Sequence, residues 1–87
     1  MAFVYILRSI RTGKYYVGST VDFEKRLEKH QKGYVVSTKS LRPFETKLVQ
    51  KYNTITEAKA IEYRIKKLKR KDYIDKMICE GHIKIHI

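Results

Sequence analysis

Arg26 and His30 stand four residues apart, the spacing that sets two side chains over one patch of a helix. A guanidinium offers a planar fork of donors that suits a phosphate. An imidazole, with an ordinary pKa of about 6.5, moves protons at neutral pH. Two phenols, Tyr5 and Tyr16, lie in separate apolar runs. A phenol titrating at about pH 10 is a poor base at neutral pH unless nearby cations lower it. Glu62 falls about 80° round a helix from the middle of an apolar stripe, at the boundary of the buried face. A partly buried carboxylate there suits Mg²⁺, which takes few protein ligands and keeps several waters. Each residue also has an ordinary reading. Glu62 pairs with Lys66 at i,i+4, Arg26 pairs with Asp22 at i−4, and a strand tyrosine, like most tyrosines of this chain (Tyr52 and Tyr63 among them), packs a core.

Two further constellations carry less. Cys79, His82 and His86 imitate part of a zinc pattern but supply only three ligands, and a helix end followed by an alternating strand explains them better. Ser19, Thr20 and His30 have no partner acid with triad logic, so serine-based hydrolysis has no support.

The elements that must position these groups follow from hydrophobic pattern. Phe3–Leu7 is rich in β-formers, Lys14–Gly18 follows after a short Gly-containing loop, and the pair reads as an antiparallel hairpin. A turn centred between Ile10 and Arg11 sets Tyr5 opposite Tyr16, on one face of the sheet. A slip of one residue would part them. Asp22 is the expected N-cap of a helix carrying Phe23 and Leu27 four apart, and Gly33 ends it. Residues 34–45, with the only proline, read as loop or short irregular helix. Thr46–Tyr52 reads as a third strand. Thr54 and Glu57 match a capping box before a helix whose buried stripe is Ala58, Ile61, Ile65 and Leu68. A last helix is expected around Asp72–Cys79. The predicted class is α+β, a three-stranded antiparallel sheet flanked by helices in the order β-β-α-β-α-α.

The chain has 87 residues, enough for one small core and no second. With 43% hydrophobic residues it is too apolar for a disordered tail. Its longest apolar run, Ala2–Leu7, is far short of the roughly 20 residues that span a bilayer, so no membrane role is expected. No signal peptide is read, and the single cysteine, Cys79, fits a reducing cytoplasm. Twenty Lys and Arg against 9 Asp and Glu give a net charge of +11, and eight of those cations lie from Lys59 to Lys76. So basic a stripe fits a polyanionic partner, nucleic acid before membrane.

A family likeness rests on these same residues. Phe3-Val4-Tyr5, ten intervening residues, then Tyr16-Val17-Gly18 resemble the paired tripeptides that name the GIY-YIG nuclease superfamily. The stretch Asp22–His30 is similar to that superfamily's first helix with its arginine and histidine, and Glu62 stands where the superfamily keeps its metal-binding glutamate. Arg42-Pro43 and Ile65-Lys66-Lys67 resemble the small bacterial proteins that consist of this domain alone. Phe3 departs from the pattern, standing where the family name has glycine.

The resemblance implies a GIY-YIG-like nuclease domain over residues 1–80, with 81–87 a tail or edge strand. It implies a metal-dependent endonuclease hydrolysing phosphodiester bonds, with one Mg²⁺ or Mn²⁺ at Glu62 and Arg26 on the scissile phosphate. Tyr5 is the expected base, with Arg26 and the metal lowering its pKa, and Tyr16 the group that orients water or phosphate. His30 holds or deprotonates the Tyr5 phenol. Gly18 lets backbone or substrate approach closely. Lys25, Lys66, Lys67 and Lys69 are the expected nucleic-acid contacts, with DNA the expected substrate over RNA. No appended module reads base sequence, so backbone shape, damaged or branched DNA (in repair or recombination), or a protein partner that supplies specificity are the expected sources of selectivity. The rival readings are a non-catalytic nucleic-acid-binding module and a partner-dependent adaptor on the same basic surface.

Overall fold

Apolar residues on successive positions, rather than alternate ones, mark a strand buried on both faces. The first strand is of this kind and becomes the centre of the sheet. The structure is a computed structural model that describes residues 1–33, 42–68, 70–83 and 85. Its elements are β1 (Ala2–Ser9), β2 (Tyr15–Thr20), α1 (Phe23–Lys32), β3 (Phe44–Tyr52), α2 (Ile55–Leu68) and α3 (Lys71–Glu80). The three strands pair antiparallel in the order β2-β1-β3. Ala2, Val4 and Ile6 face a core shared with Val17, Leu48, Ala58, Ile61, Ile65 and Met77. Tyr5 and Leu7 face a second core with Phe44, flanked by Tyr16, Phe23 and Leu27. The sheet is therefore a partition, with α2 and α3 on one side and α1 on the other.

The hairpin register differs from expectation. Tyr5 pairs with Gly18 and Tyr16 with Leu7, so the turn is centred one residue later than expected and the pairing is displaced by two. The cause is local. Ser9 Oγ accepts the Thr12 N–H at 3.1 Å, and the Ser9 carbonyl accepts the Gly13 N–H at 2.8 Å. That geometry places Gly13 at φ +76°, a conformation glycine adopts without steric cost. A displacement of two keeps faces, so the two phenols still share one side of the sheet.

β3 starts at Phe44, earlier than the expected Thr46, because Gln31 ties it to α1. Its side-chain nitrogen donates to the Phe44 carbonyl at 2.8 Å, and its oxygen accepts the Phe44 N–H at 3.1 Å. The β1–β3 pairing passes from Ile6–Leu48 to Leu7–Thr46, which leaves Lys47 bulged. In an unbroken strand Phe44 and Leu48 would share a face. The bulge sends Phe44 to the α1 core and Leu48 to the α2 core.

The helices follow their caps. Asp22 accepts the Lys25 N–H at 3.2 Å, and Gly33 closes α1. Thr54 Oγ1 accepts the Glu57 N–H at 3.1 Å and opens α2. Ala58, Ile61 and Ile65 are fully buried, but Leu68, expected in the same stripe, is 39% exposed at the helix end. Residues 81–83 and 85 form a tail rather than a paired strand. Ile83 is buried, and its N–H donates to Gln50 Oε1 at 2.6 Å. Most of the loop expected over 34–45 lies outside the described residues, as do Lys69 and His86.

Candidate active site

The second core carries a polar centre. His30 sits on the last turns of α1, fully buried, with Phe44 against its edge at 6.0 Å between ring centroids. Its Nε2 lies 3.0 Å from Tyr5 Oη, a side chain only 1% exposed. Arg26, one helical turn earlier, donates from Nε to the same oxygen at 3.4 Å. It is not paired with Asp22, whose side chain caps the helix instead. The Tyr16 ring packs 4.9 Å from the His30 ring and 6.4 Å from that of Tyr5. Phe23 closes the Tyr5 ring from α1 at 5.5 Å. Two phenols, an imidazole and a guanidinium thus meet between β1, β2 and α1.

Gly18 has a more specific task than admitting substrate. It faces Tyr5 across the ladder, and a Cβ built there would meet Tyr5 Cζ at 2.5 Å and run into its hydroxyl. The ring lies over the glycine, which fixes where the hydroxyl points.

Protonation follows from burial and from one charge. Burial, and then Arg26, lower the His30 pKa from 6.5 to about 4, so the imidazole is neutral at pH 7. Burial raises the Tyr5 pKa and outweighs the hydrogen bond from Arg26, which lowers it. Arg26 acts on this phenol in the expected direction, through its hydrogen bond and its charge, but burial is the larger effect. Arg26 can only donate to the phenol oxygen, which leaves the Tyr5 O–H available to Nε2 of a neutral ring protonated at Nδ1.

A buried histidine with a depressed pKa makes stability depend on pH with a definite sign. Between about pH 6.5 and pH 4 the unfolded chain binds a proton at His30 that the folded chain does not. Stability is complete above pH 6.5 and is lost as pH falls through that window, by up to about 3 kcal/mol. Urea denaturation at pH 7 and pH 5 measures it. The slope should flatten in His30→Gln, and an unchanged slope would refute the assignment.

Glu62 approaches from the other side of the sheet. Ser19 lies opposite Val4 and so faces the α2 core, whereas Gly18 and Tyr16 face α1. Because β2 is an edge strand, α2 reaches round it. Ser19 Oγ donates to Glu62 Oε1 at 2.5 Å, and Lys66 Nζ donates to Glu62 Oε2 at 2.6 Å. The same ammonium sits 5.7 Å from the Tyr16 ring centroid, and the Glu62 charge is one of those that raise the Tyr5 pKa. Glu62 therefore acts on Tyr5 through its charge and reaches the Tyr16 ring through Lys66. The Glu62–Lys66 pair is present, and it holds a half-exposed Lys66 beside the site.

Among the described residues no three His, Cys, Asp or Glu side chains cluster as a metal cage. Glu62 fits a different kind of ion. Its carboxylate is 20% exposed, has a hydroxyl oxygen beside it, and already holds a cation, the Lys66 ammonium, on one oxygen. One carboxylate plus water and phosphate oxygens is the donor set that Mg²⁺ accepts.

The other expected residues lie apart. Lys25 is exposed on α1, next to Arg26. Lys67 lies over the Tyr63 ring at 5.9 Å, and Tyr63 is 65% exposed rather than core. Cys79 is exposed, and His82 Nδ1 lies 3.3 Å from the Glu80 carbonyl. Ser19 was readable only as a triad candidate without an acid. Its signal was the alternation with Val17, which puts it on the α2 side of β2.

Comparison with known proteins agrees with this fold. The family model for the GIY-YIG catalytic domain matches residues 1–76. The UPF0213 protein OB0043 of Oceanobacillus iheyensis is 42% identical over 69 residues, which is 78% of this chain and 79% of that protein. The UPF0213 protein SSP2268 of Staphylococcus saprophyticus is 35% identical over 80 residues, covering 91% of this chain and 95% of that one. The solution NMR structure of the UPF0213 protein BH0048 from Bacillus halodurans superposes with a TM-score of 0.57 at 30% identity, over 93% of this chain and 87% of that one. The chain belongs to the GIY-YIG family, a nuclease-like domain family, beside these small UPF0213 proteins.

Proposed function

We propose that the chain is a metal-dependent endonuclease that hydrolyses phosphodiester bonds in DNA. Hydrolysis needs a deprotonated water in line with the bond, stabilisation of charge on the phosphate, and neutralisation of the leaving oxygen. The observation that supports the reading best is the Tyr5 hydroxyl, held in a buried pocket between His30 Nε2 at 3.0 Å and Arg26 Nε at 3.4 Å.

The phenol is placed to work as a relay. Its oxygen takes the proton of the attacking water while its own proton passes to Nε2 of the neutral His30, so no free phenolate has to form. A phosphate on Arg26 offsets the positive charge that helps hold the His30 pKa down, and so raises the imidazole's proton affinity when substrate is present. Arg26 holds the phosphate and stabilises its growing charge, and Tyr16 orients water or phosphate beside it. Glu62 and the Ser19 hydroxyl would hold Mg²⁺ or Mn²⁺, with Lys66 released from the carboxylate. The ion, when bound, supplies Lewis-acid neutralisation of the leaving oxygen.

Membership of the GIY-YIG family supports a nucleic-acid substrate, and DNA is the substrate proposed. No described helix is long and apolar enough to cross a membrane, and the exposed free thiol of Cys79 suits a reducing cytoplasm. The test is direct. With Mg²⁺ or Mn²⁺ the protein should convert supercoiled plasmid to the nicked form, and EDTA should stop it. Absence of cleavage of any DNA with any divalent ion would overturn the proposal.

A further inference from the structure

The catalytic cluster leaves a second aromatic and basic surface unexplained. Tyr63 and Tyr73 are 65% and 45% exposed, the only tyrosines among the exposed large apolar side chains of the described residues. Each ring has a cation over it: Lys67 at 5.9 Å from the Tyr63 centroid and Arg70 at 5.3 Å from that of Tyr73. The rings line two hollows that adjoin at one residue. Ile85 borders both the hollow lined by Tyr63, Arg64 and Lys67 and the hollow lined by Tyr73 and Lys76. The floor of the first is apolar, from Ala60, Leu68 and Ile85.

Charge decides what such a groove accepts. Arg64, Lys67 and Lys76 form no ion pair with any described carboxylate, whereas Arg70 is held by Asp72 at 2.8 Å. Glu80 is the one acidic residue of the two hollows. An acidic peptide would answer the cations but leave the two ring faces unused. A duplex presents phosphates, with its bases stacked inside. Unpaired nucleotides present both a charged backbone and open base faces, and base–aromatic stacking beside cations is how sequence-tolerant single-strand binders hold them.

We infer that the α2–α3 groove is a second, non-catalytic surface that binds single-stranded nucleic acid, with bases stacked on Tyr63 and Tyr73 and phosphates on Arg64, Lys67 and Lys76. The inference rests on the nucleic-acid reading above but not on its chemistry. Glu62 and Lys66 face the catalytic edge from α2, and Tyr63 and Lys67 come one residue later. The groove therefore starts about 100° round the same helix, and one strand can run from one to the other.

The experiment is a binding titration in EDTA, so that cleavage plays no part. Fluorescence anisotropy would follow a labelled oligothymidylate of about 16 nucleotides and a hairpin duplex of similar length. Tyr63→Ala and Tyr73→Ala should each weaken single-strand binding about tenfold and leave duplex binding unchanged, with Tyr63→Phe and Tyr73→Phe close to wild type. Both positions are exposed, and thermal melts would check that the variants fold. Alanine variants that bind oligothymidylate as wild type does would overturn the inference, even if plasmid nicking persists. Tyrosine-dependent binding without any cleavage would support it while the nuclease reading fell. Concentration-dependent self-association in sedimentation, abolished by Tyr63→Ala, would assign the groove to a second copy of the chain and overturn the inference as well.

Discussion

Tyr5→Phe should lower single-turnover DNA cleavage by about 10²- to 10⁴-fold, the usual loss when a positioned proton-transfer group is removed. The substitution is clean because it deletes one oxygen and nothing else. The ring stays buried over Gly18, beside Phe23, with its volume unchanged. What disappears is the acceptor of the Arg26 N–H and the donor to His30 Nε2. Leaving that nitrogen buried without a partner costs about 1–3 kcal/mol, so the variant should melt earlier and still fold. Cleavage is therefore measured well below its transition, beside DNA binding, which should stay near wild type. A variant that binds and cleaves as wild type does would remove Tyr5 from the proton path.

Glu62→Ala should reduce cleavage by about 10³-fold or more, because a metal ion contributes several kcal/mol of charge stabilisation in such a site. It also strips Ser19 and Lys66 of their common acceptor, so Glu62→Gln is the sharper variant. Glutamine keeps an oxygen for the Ser19 hydroxyl while it removes the charge and the second acceptor, the one that holds Lys66. Both variants should lose Mn²⁺ binding by electron paramagnetic resonance, with folding retained because the residue lies at the margin of the core. If Glu62→Gln still binds Mn²⁺ and cleaves within tenfold of wild type, the carboxylate is only the anchor of an ion pair.

These predictions differ in how far they were visible before any coordinates. Elements fixed by local chemistry were legible. The run Phe3–Leu7 announced a strand, Asp22 and Thr54 announced helix starts, and Ala58, Ile61 and Ile65 announced a buried stripe. The convergence of Arg26 and His30 followed from helical spacing alone. What was hidden depended on partners distant along the chain. The hairpin register turned on Ser9 capturing two loop amides, which no strand propensity encodes. The Lys47 bulge was invisible because Phe44 and Leu48 look like one face of one strand. The role of Ser19 required knowing that α2 overhangs β2. The direction of the Tyr5 shift required knowing that burial outweighs the neighbouring guanidinium.

The division of the molecule by its sheet has a consequence for any damaged copy. Tyr5, Tyr16, Arg26 and His30 belong to one layer, and Ser19, Glu62 and Lys66 to the other, with an edge strand as the seam. In the proposed mechanism neither layer holds a complete set of reacting groups. Melting of either layer should therefore abolish the proposed cleavage, because the two halves of the scissors meet only in the folded chain.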